Sequence, residues 1–486
     1  MLFNSLEFLV FFPVVTVLFF LLPHRYRWLH LLVASCVFYM AFIPAYILIL
    51  LLTIVIDYYA GILIEHATGS QRRFYLAMSL VANIGVLAVF KYYNFFIDNI
   101  NTLLHLSNPT ASLPLLNIIL PIGLSFHTFQ AMSYTIEVYR GNQPAERHFG
   151  IYALYVMFYP QLVAGPIERP QNVLPQFHEE KRFSYEKAAS GLRLMAWGLF
   201  KKVVIADRLA AMVNEVYNRP HDFHGLPLLV ATIFFAIQIY CDFSGYSDMA
   251  LGAARVMGFE LMKNFDRPYF SKSIAEFWRR WHISLSTWFR DYLYFSLGGN
   301  RVALPRACFN LFFVFLVSGL WHGANWTFIV WGALHGLYLV VGMLTKPGRV
   351  RFIERTGLTF LNNPLLNIGL TGALVAFAWI FFRANTLHDA LYVITHLVGP
   401  SSAIVHEVTV TGLAAVKVFY SSREWLALVG ALVILLAIEK VQFRVAISNW
   451  LEQQATPVRW TLYYGIVLYI ALLGAFEHVQ FIYFQF

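Results

Sequence analysis

Two histidines forty residues apart, His282 and His322, are the side chains best suited to chemistry in this sequence. His322 lies in SGLWHGANWTFIVWGALHG (318–336), at the end of an apolar run with Gly323 beside it. A histidine inside a membrane segment is a functional hypothesis by default, because keeping a polar ring there is costly. Its ordinary pKa lets it take a proton from a hydroxyl near neutral pH. The competing reading is a helix-packing histidine beside Gly319 and Gly323. His335 follows thirteen residues later. On a continuous helix that is about 220° around the axis, so the pair lacks the same-face geometry of HExxH and metal ligation is not expected.

His282 lies in EFWRRWHISLSTWFRDYLYFSLGGNR (276–301), with Glu276, Arg279, Arg280, Arg290, Asp291 and Arg301 and the tryptophans Trp278, Trp281 and Trp288. Only 13% of the chain is charged, so this crowding needs a cause. Read as a helix, Glu276 and Arg280 form a favourable i,i+4 pair, and Trp278, Trp281 and Leu285 share a face. Each charge would cost about 2.5–3.5 kcal/mol at a bilayer centre. The segment is therefore interfacial, re-entrant, or buried against water or protein. It could be a surface helix of snorkelling arginines and belt aromatics, or a polar wall of a site. A third stretch, QIYCDFSGYSDMALG (238–252), sets Asp242 and Asp248 among small residues. That composition fits a polar cavity and equally fits close helix packing through Gly245 and Gly252.

The elements that must hold these residues are membrane helices. Of 486 residues 59% are hydrophobic and 17% aromatic, against about 45–50% apolar in soluble domains. We expect an all-α polytopic membrane protein, one integral membrane domain over 1–486. Candidate segments fall near 7–23, 28–43, 45–64, 74–93, 114–137, 149–165, 226–241, 308–321, 326–344, 366–383, 424–439 and 460–476, with weaker ones near 188–212, 242–258 and 390–420. The total is about 11–14 transmembrane or re-entrant helices. The N-terminal run carries Glu7, lacks a basic lead and is followed by Arg25 and Arg27, which predicts a retained first span. Basic links (24–27, 71–73, Arg140 and Arg147) alternate with neutral ones, placing the N-terminus outside.

The net charge of +9 belongs to loops and lipid headgroups, with no nucleic-acid partner expected. Cys36, Cys241 and Cys308 stand alone, so neither a zinc ribbon nor a disulfide framework is indicated. GxSxG, Walker A and GxGxxG patterns are absent from the sequence, removing the usual supports for hydrolase, NTPase and dinucleotide chemistry. No internal repeat stands out, which counts against a transporter built from inverted halves. Polar links are expected at 166–187 and 345–365.

Several stretches resemble the membrane-bound O-acyltransferase family, in its bacterial polysaccharide O-acetylation branch: LPIGLSFHTFQAMSYTIEVYRG (120–141), YCDFSGYSDMALG (240–252), NFDRPYFSKSIAEFWRRWHISLSTWFRDYLYFSLGGNR (264–301), GLWHGANWTFIVWGALHG (319–336), WIFFRAN (379–385) and FIYFQF (481–486). They occur in family order over nearly the whole chain, and the 264–336 block is the most specific. The resemblance implies a ring of helices around a central tunnel, with the family's WHG histidine, here His322, at the constriction. It implies a multi-pass protein of the bacterial inner membrane that takes an acetyl group from a cytoplasmic donor, acetyl-CoA, without a permanently bound cofactor or metal. The acceptor would be an extracytoplasmic polysaccharide such as alginate, reached through a separate periplasmic or extracellular acetyltransferase. His322 would be the base or the acyl carrier, and His282 its partner at the family's second polar position. Arg279, Arg280, Arg290, Trp281 and Asn325 would contact substrate, the arginines either offsetting donor phosphate charge or bracing the segment through Glu276 and Asp291. The alternatives are D-alanyl transfer to teichoic acid, a transporter without chemistry, and a scaffold for polymer secretion.

Overall fold

Apolar runs in a bilayer must satisfy every backbone N–H and C=O internally, and a helix does so within one segment. A computed structural model describes residues 1–163, 165–397, 416–445, 447–476 and 481–482. Among these residues every regular element is helical, with no strand. Seven helices are long and apolar enough to cross a membrane: Pro44–His66, Gly69–Ser107, Leu226–Val256, Leu304–His322, Trp326–Thr356, Pro364–Arg383 and Thr456–Leu473. Leu6–Leu21 is a shorter apolar helix. The protein is an all-α, multi-pass membrane protein.

Several expected segments take a different form. The 114–137 run begins without regular structure and becomes the helix Leu124–Arg140. The 149–165 run divides into Phe149–Met157 and Tyr159–Leu162, with Pro160 starting the second piece. The segments expected at 226–241 and 242–258 are one helix of 31 residues, because Gly245 and Gly252 are used for close approach and break nothing. The 345–365 link is helical as far as Thr356. Its Lys, Arg and Glu residues are good helix formers, and the helix stops at Gly357, whose φ of 67° is left-handed. Most of the weak 390–420 stretch lies outside the described residues.

The chain divides into two units, Met1–Met195 with Ser247–Lys263 and Ala196–Tyr246 with Asn264–Phe486. In the first, the buried Asp57 carboxylate accepts hydrogen bonds from Ser79 Oγ (2.6 Å) and Asn83 Nδ2 (2.8 and 2.9 Å). Ser79 and Asn83, one turn apart on Gly69–Ser107, thus fix the facing of that helix against Pro44–His66. Small residues do the same elsewhere in this unit, since a Cβ on Gly252 would lie 2.5 Å from the Gly191 carbonyl oxygen.

The second unit holds a buried ionic triad. Lys202 Nζ lies 2.7 Å from Asp207 Oδ1 and 2.8 Å from Asp242 Oδ1. The other oxygen of Asp242 accepts the Ile482 N–H at 2.9 Å, and Lys201 Nζ donates to Ser244 Oγ at 2.8 Å. A Cβ on Gly245 would lie 2.7 Å from the Gly198 carbonyl oxygen. Asp242 and Gly245 are therefore packing residues that lock the 196–206 segment to Leu226–Val256. Replacing Lys202 with Met would leave two buried carboxylates facing each other, a change that typically costs about 3–5 kcal/mol. We expect Lys202→Met to lower the melting temperature of the detergent-solubilised protein markedly, and a melting curve that overlays the parent's would refute that role for the triad.

Candidate functional site

The geometry around His322 starts from two glycines. Gly319, on Leu304–His322, faces Gly332, on Trp326–Thr356. A Cβ on Gly319 would lie 2.3 Å from the Phe328 carbonyl oxygen, and one on Gly332 would lie 2.4 Å from the Phe315 carbonyl oxygen. The two helices form a tight antiparallel hairpin whose turn is Gly323–Asn325. His322 is the last residue of the first helix and is buried, 5% exposed. Its ring meets Trp331 edge to face at 4.9 Å, Phe382 at 5.4 Å and Trp321 at 5.0 Å between centroids. Because the chain turns at 323–325, the continuous-helix angle between His322 and His335 does not apply. Both pack on the ring of Trp331, His335 at 5.0 Å. His335 Nδ1 accepts the indole N–H of Trp278 at 3.2 Å, which leaves its proton on Nε2.

The stretch around His282 is not one helix. Ile274–Arg280 ends at Trp281, and Ile283–Trp288 begins at His282, whose φ of 44° is left-handed. A non-glycine residue holds that conformation only where its surroundings impose it. Asn264 supplies the restraint. Its backbone oxygen accepts the Ile283 N–H at 2.9 Å, and its side-chain oxygen accepts from Ser284 Oγ at 2.9 Å and Ser284 N–H at 3.2 Å. His282 is completely buried, its ring edge to face with Phe243 at 4.6 Å and parallel to Phe265 at 6.4 Å. Burial pushes its imidazole pKa down to about 3, so the ring is neutral. Trp321 lies against both histidines, 6.4 Å from His282 and 5.0 Å from His322. The aromatic residues of this wall, Trp321, Trp331 and Phe382, were not singled out in the sequence. Phe382 lies in the WIFFRAN motif, which was the available signal.

The profile of MBOAT, the membrane-bound O-acyltransferase family, matches residues 143–359, a range that contains both histidines. The Pseudomonas aeruginosa protein named probable alginate O-acetylase AlgI is 42% identical over 394 residues, 80% of this chain and 73% of that protein. The peptidoglycan O-acetyltransferase of Helicobacter pylori is 36% identical over 398 residues, covering 76% and 73% of the two chains. The chain belongs to the membrane-bound O-acyltransferase family. It is an acyltransferase. The teichoic acid D-alanyltransferase of Streptococcus thermophilus is 31% identical over a shorter range, 45% of this chain and 56% of that one.

Within this acyltransferase Arg280, Trp281 and Asn325 are engaged in holding the fold, while Arg279 and Arg290 lie exposed. Arg280 pairs with Glu276 at 2.7 Å, and its guanidinium lies 5.6 Å from the Phe443 ring. Burial alone would raise the Glu276 carboxyl, but the Lys272 backbone N–H and Arg280 hold it below its usual range. Arg290 pairs with its neighbour Asp291 at 2.7 Å and is exposed, as is Arg279. Trp281 is buried in ring packing, stacked on Phe277 at 5.4 Å and 5.1 Å from Trp379. Asn325 caps the second hairpin helix, accepting the Thr327 N–H at 3.0 Å, and donates to the Asn385 carbonyl at 3.0 Å. That bond ties the WHGAN turn to the end of WIFFRAN. Next to it the buried Arg383 donates to Asn214 Oδ1 at 2.9 Å and Asn218 Oδ1 at 3.2 Å.

Asn325→Ala removes both the cap and the tie. A lost cap costs about 0.5–2 kcal/mol. We expect a modest fall in melting temperature together with retained, weakened acyl transfer. Complete loss of transfer in a protein of unchanged stability would instead make Asn325 a substrate contact.

Proposed function

We propose that this protein is an O-acetyltransferase of the bacterial cytoplasmic membrane that serves the acetylation of an extracytoplasmic polysaccharide such as alginate. The observation that carries the reading is the placing of two buried histidines against one tryptophan in a chain with O-acetylase relatives across most of its length. Acetyl-CoA is the donor in this reading and is presented from the cytoplasmic side. The final acceptor is a sugar hydroxyl, reached with the help of a periplasmic or extracellular acetyltransferase partner. The longer and closer match to O-acetylases favours acetyl over D-alanyl transfer.

In the proposed step His322 acts as general base. A hydroxyl of the acceptor or of the partner loses its proton to an imidazole nitrogen of His322 as its oxygen bonds to the acetyl carbon. The carbon–sulfur bond of the thioester then breaks, and the imidazolium returns the proton to the departing thiolate. His282, which also lies against Trp321, positions the donor or the nucleophile. The surrounding aromatic rings keep water from competing for the thioester. Arg279 and Arg290, being exposed, are the arginines open to the donor's phosphates, while Arg280 braces Glu276.

General-base catalysis is worth about 10²–10⁴-fold in rate. We expect His322→Ala, purified in folded form with its partner and given labelled acetyl-CoA, to lose at least about a hundredfold in acetyl transfer, and His282→Ala to lose a substantial part. Wild-type turnover by His322→Ala would overturn the assignment. Label trapped covalently on the wild-type protein, and absent from His322→Ala, would replace the base with an acyl-carrying histidine.

A further inference from the structure

We propose that the second unit carries a surface site for a divalent transition-metal ion such as Zn²⁺, formed by His221, His388 and Asp389. Among the described residues this is a place where donor atoms of three His, Cys, Asp or Glu side chains come together, all within 4.8 Å of one another. His221 belongs to the short turn Pro220–Asp222, and His388 and Asp389 to the first turn of Leu387–His396. The site therefore joins two segments far apart in sequence. The proposal stands apart from acyl transfer and does not depend on the reading of His322.

The spacing suits a metal. His221 Nε2 lies 3.2 Å from Asp389 Oδ1. Zinc–nitrogen and zinc–oxygen bonds of about 2.0–2.2 Å in a tetrahedron set ligands roughly 3.4 Å apart, so this edge needs almost no adjustment. The His388 ring centroid lies 5.2 Å from that of His221, within reach of a small side-chain rotation. A hydrogen-bonded His221–Asp389 pair alone would not need a second imidazole converging on it. Two imidazoles and a carboxylate with an open fourth position favour Zn²⁺ and similar ions over Mg²⁺ or Ca²⁺.

Supporting contacts hold the ligands in place, as they do around metal sites generally. Thr386 Oγ1 donates to the other carboxylate oxygen of Asp389 at 2.8 Å and accepts the Asp389 N–H at 3.0 Å. Tyr392 packs its ring on His221 at 4.3 Å and donates its hydroxyl to the backbone oxygens of His221 (3.4 Å) and Phe223 (3.3 Å). Gly225 N–H donates to the His396 carbonyl at 2.8 Å. The two segments are thus stitched together without an ion, and a bound ion would add a further clamp three residues beyond Asn385. His221 and His388 are exposed, so ions reach them from solvent.

The test uses the full chain with a tag free of histidine, purified in detergent and stripped with a chelator. Zn²⁺ is then titrated in competition with a chromophoric chelator, and melting is followed in parallel. We expect one saturable equivalent, a raised melting temperature and no response to Mg²⁺. His221→Gln and His388→Gln should each weaken binding by at least roughly tenfold. His388→Cys, which keeps a good zinc ligand, should retain binding and, loaded with Cd²⁺, show sulfur-to-metal charge transfer. Absence of saturable binding, or binding that survives both glutamine variants, would overturn the site. A His388→Cys protein that is folded but shows no sulfur–metal band would do the same.

Discussion

The backbone contact of Gly319 with Gly332 is the constraint on which the site depends. Two helices in lipid gain nothing from hiding apolar surface from each other, so they associate by close packing, and small residues make that possible. Here the approach is so close that a methyl group on either glycine would meet a carbonyl oxygen at less than 2.5 Å. That register sets Trp331 against both His322 and His335. It also ends the first helix at His322, because the chain must turn within Gly323–Asn325 to enter the second. The catalytic candidate owes its position to a pair of side chains that are absent.

Buried polar groups then fix what surrounds the hairpin. A cation taken out of water is tolerable only with partners close by, and this unit shows such arrangements around the hairpin. Lys202 is held between Asp207 and Asp242, and Asp242 in turn holds the Ile482 N–H. Arg383 is held by Asn214 and Asn218, on the helix that begins at Asp207. The neighbours of these anchors in sequence are wall residues: Phe243 follows Asp242 and packs on His282, and Phe382 precedes Arg383 and packs on His322. The charged residues do not approach the histidines themselves in these contacts. They pin the strips of chain that carry the rings.

The membrane character and the principal spans were legible in composition, and the motifs singled out His282 and His322 as the candidates. The geometry at each histidine was not. Nothing in Trp281–His282–Ile283 signals a break, since neither glycine nor proline is present, and the left-handed turn is imposed by Asn264 from outside the segment. The angle from His322 to His335 presumed one helix, and the turn at Gly323 made it two. Lys202 was hidden because 188–212 read as a weak apolar stretch, and the pair Lys201–Lys202 gives no hint of carboxylates five and forty residues from Lys202. The stretch around Asp242 fitted a polar cavity as well as close helix packing, and only the fold brings Lys202 to it.

The charge crowding at 276–301 has its account in the same terms. Glu276 with Arg280 and Arg290 with Asp291 are pairs of near neighbours, so they satisfy one another locally at partly exposed positions. His282 sits between them in sequence but is turned inward by its left-handed backbone, away from that charged surface and into the rings of Phe243, Phe265 and Trp321. A protonated imidazole would be expensive among those rings, and burial holds this one neutral. A neutral ring can accept a hydrogen bond or donate one without adding charge to the site. In the proposed reaction this separates the two histidines by role. The histidine at the hairpin turn takes up and returns a proton within one event, while the one in the broken helix stays neutral and serves through position. The arginines nearby then need not touch the substrate, because Arg280 and Arg290 already have carboxylate partners and the turn that aims His282 inward is held by Asn264.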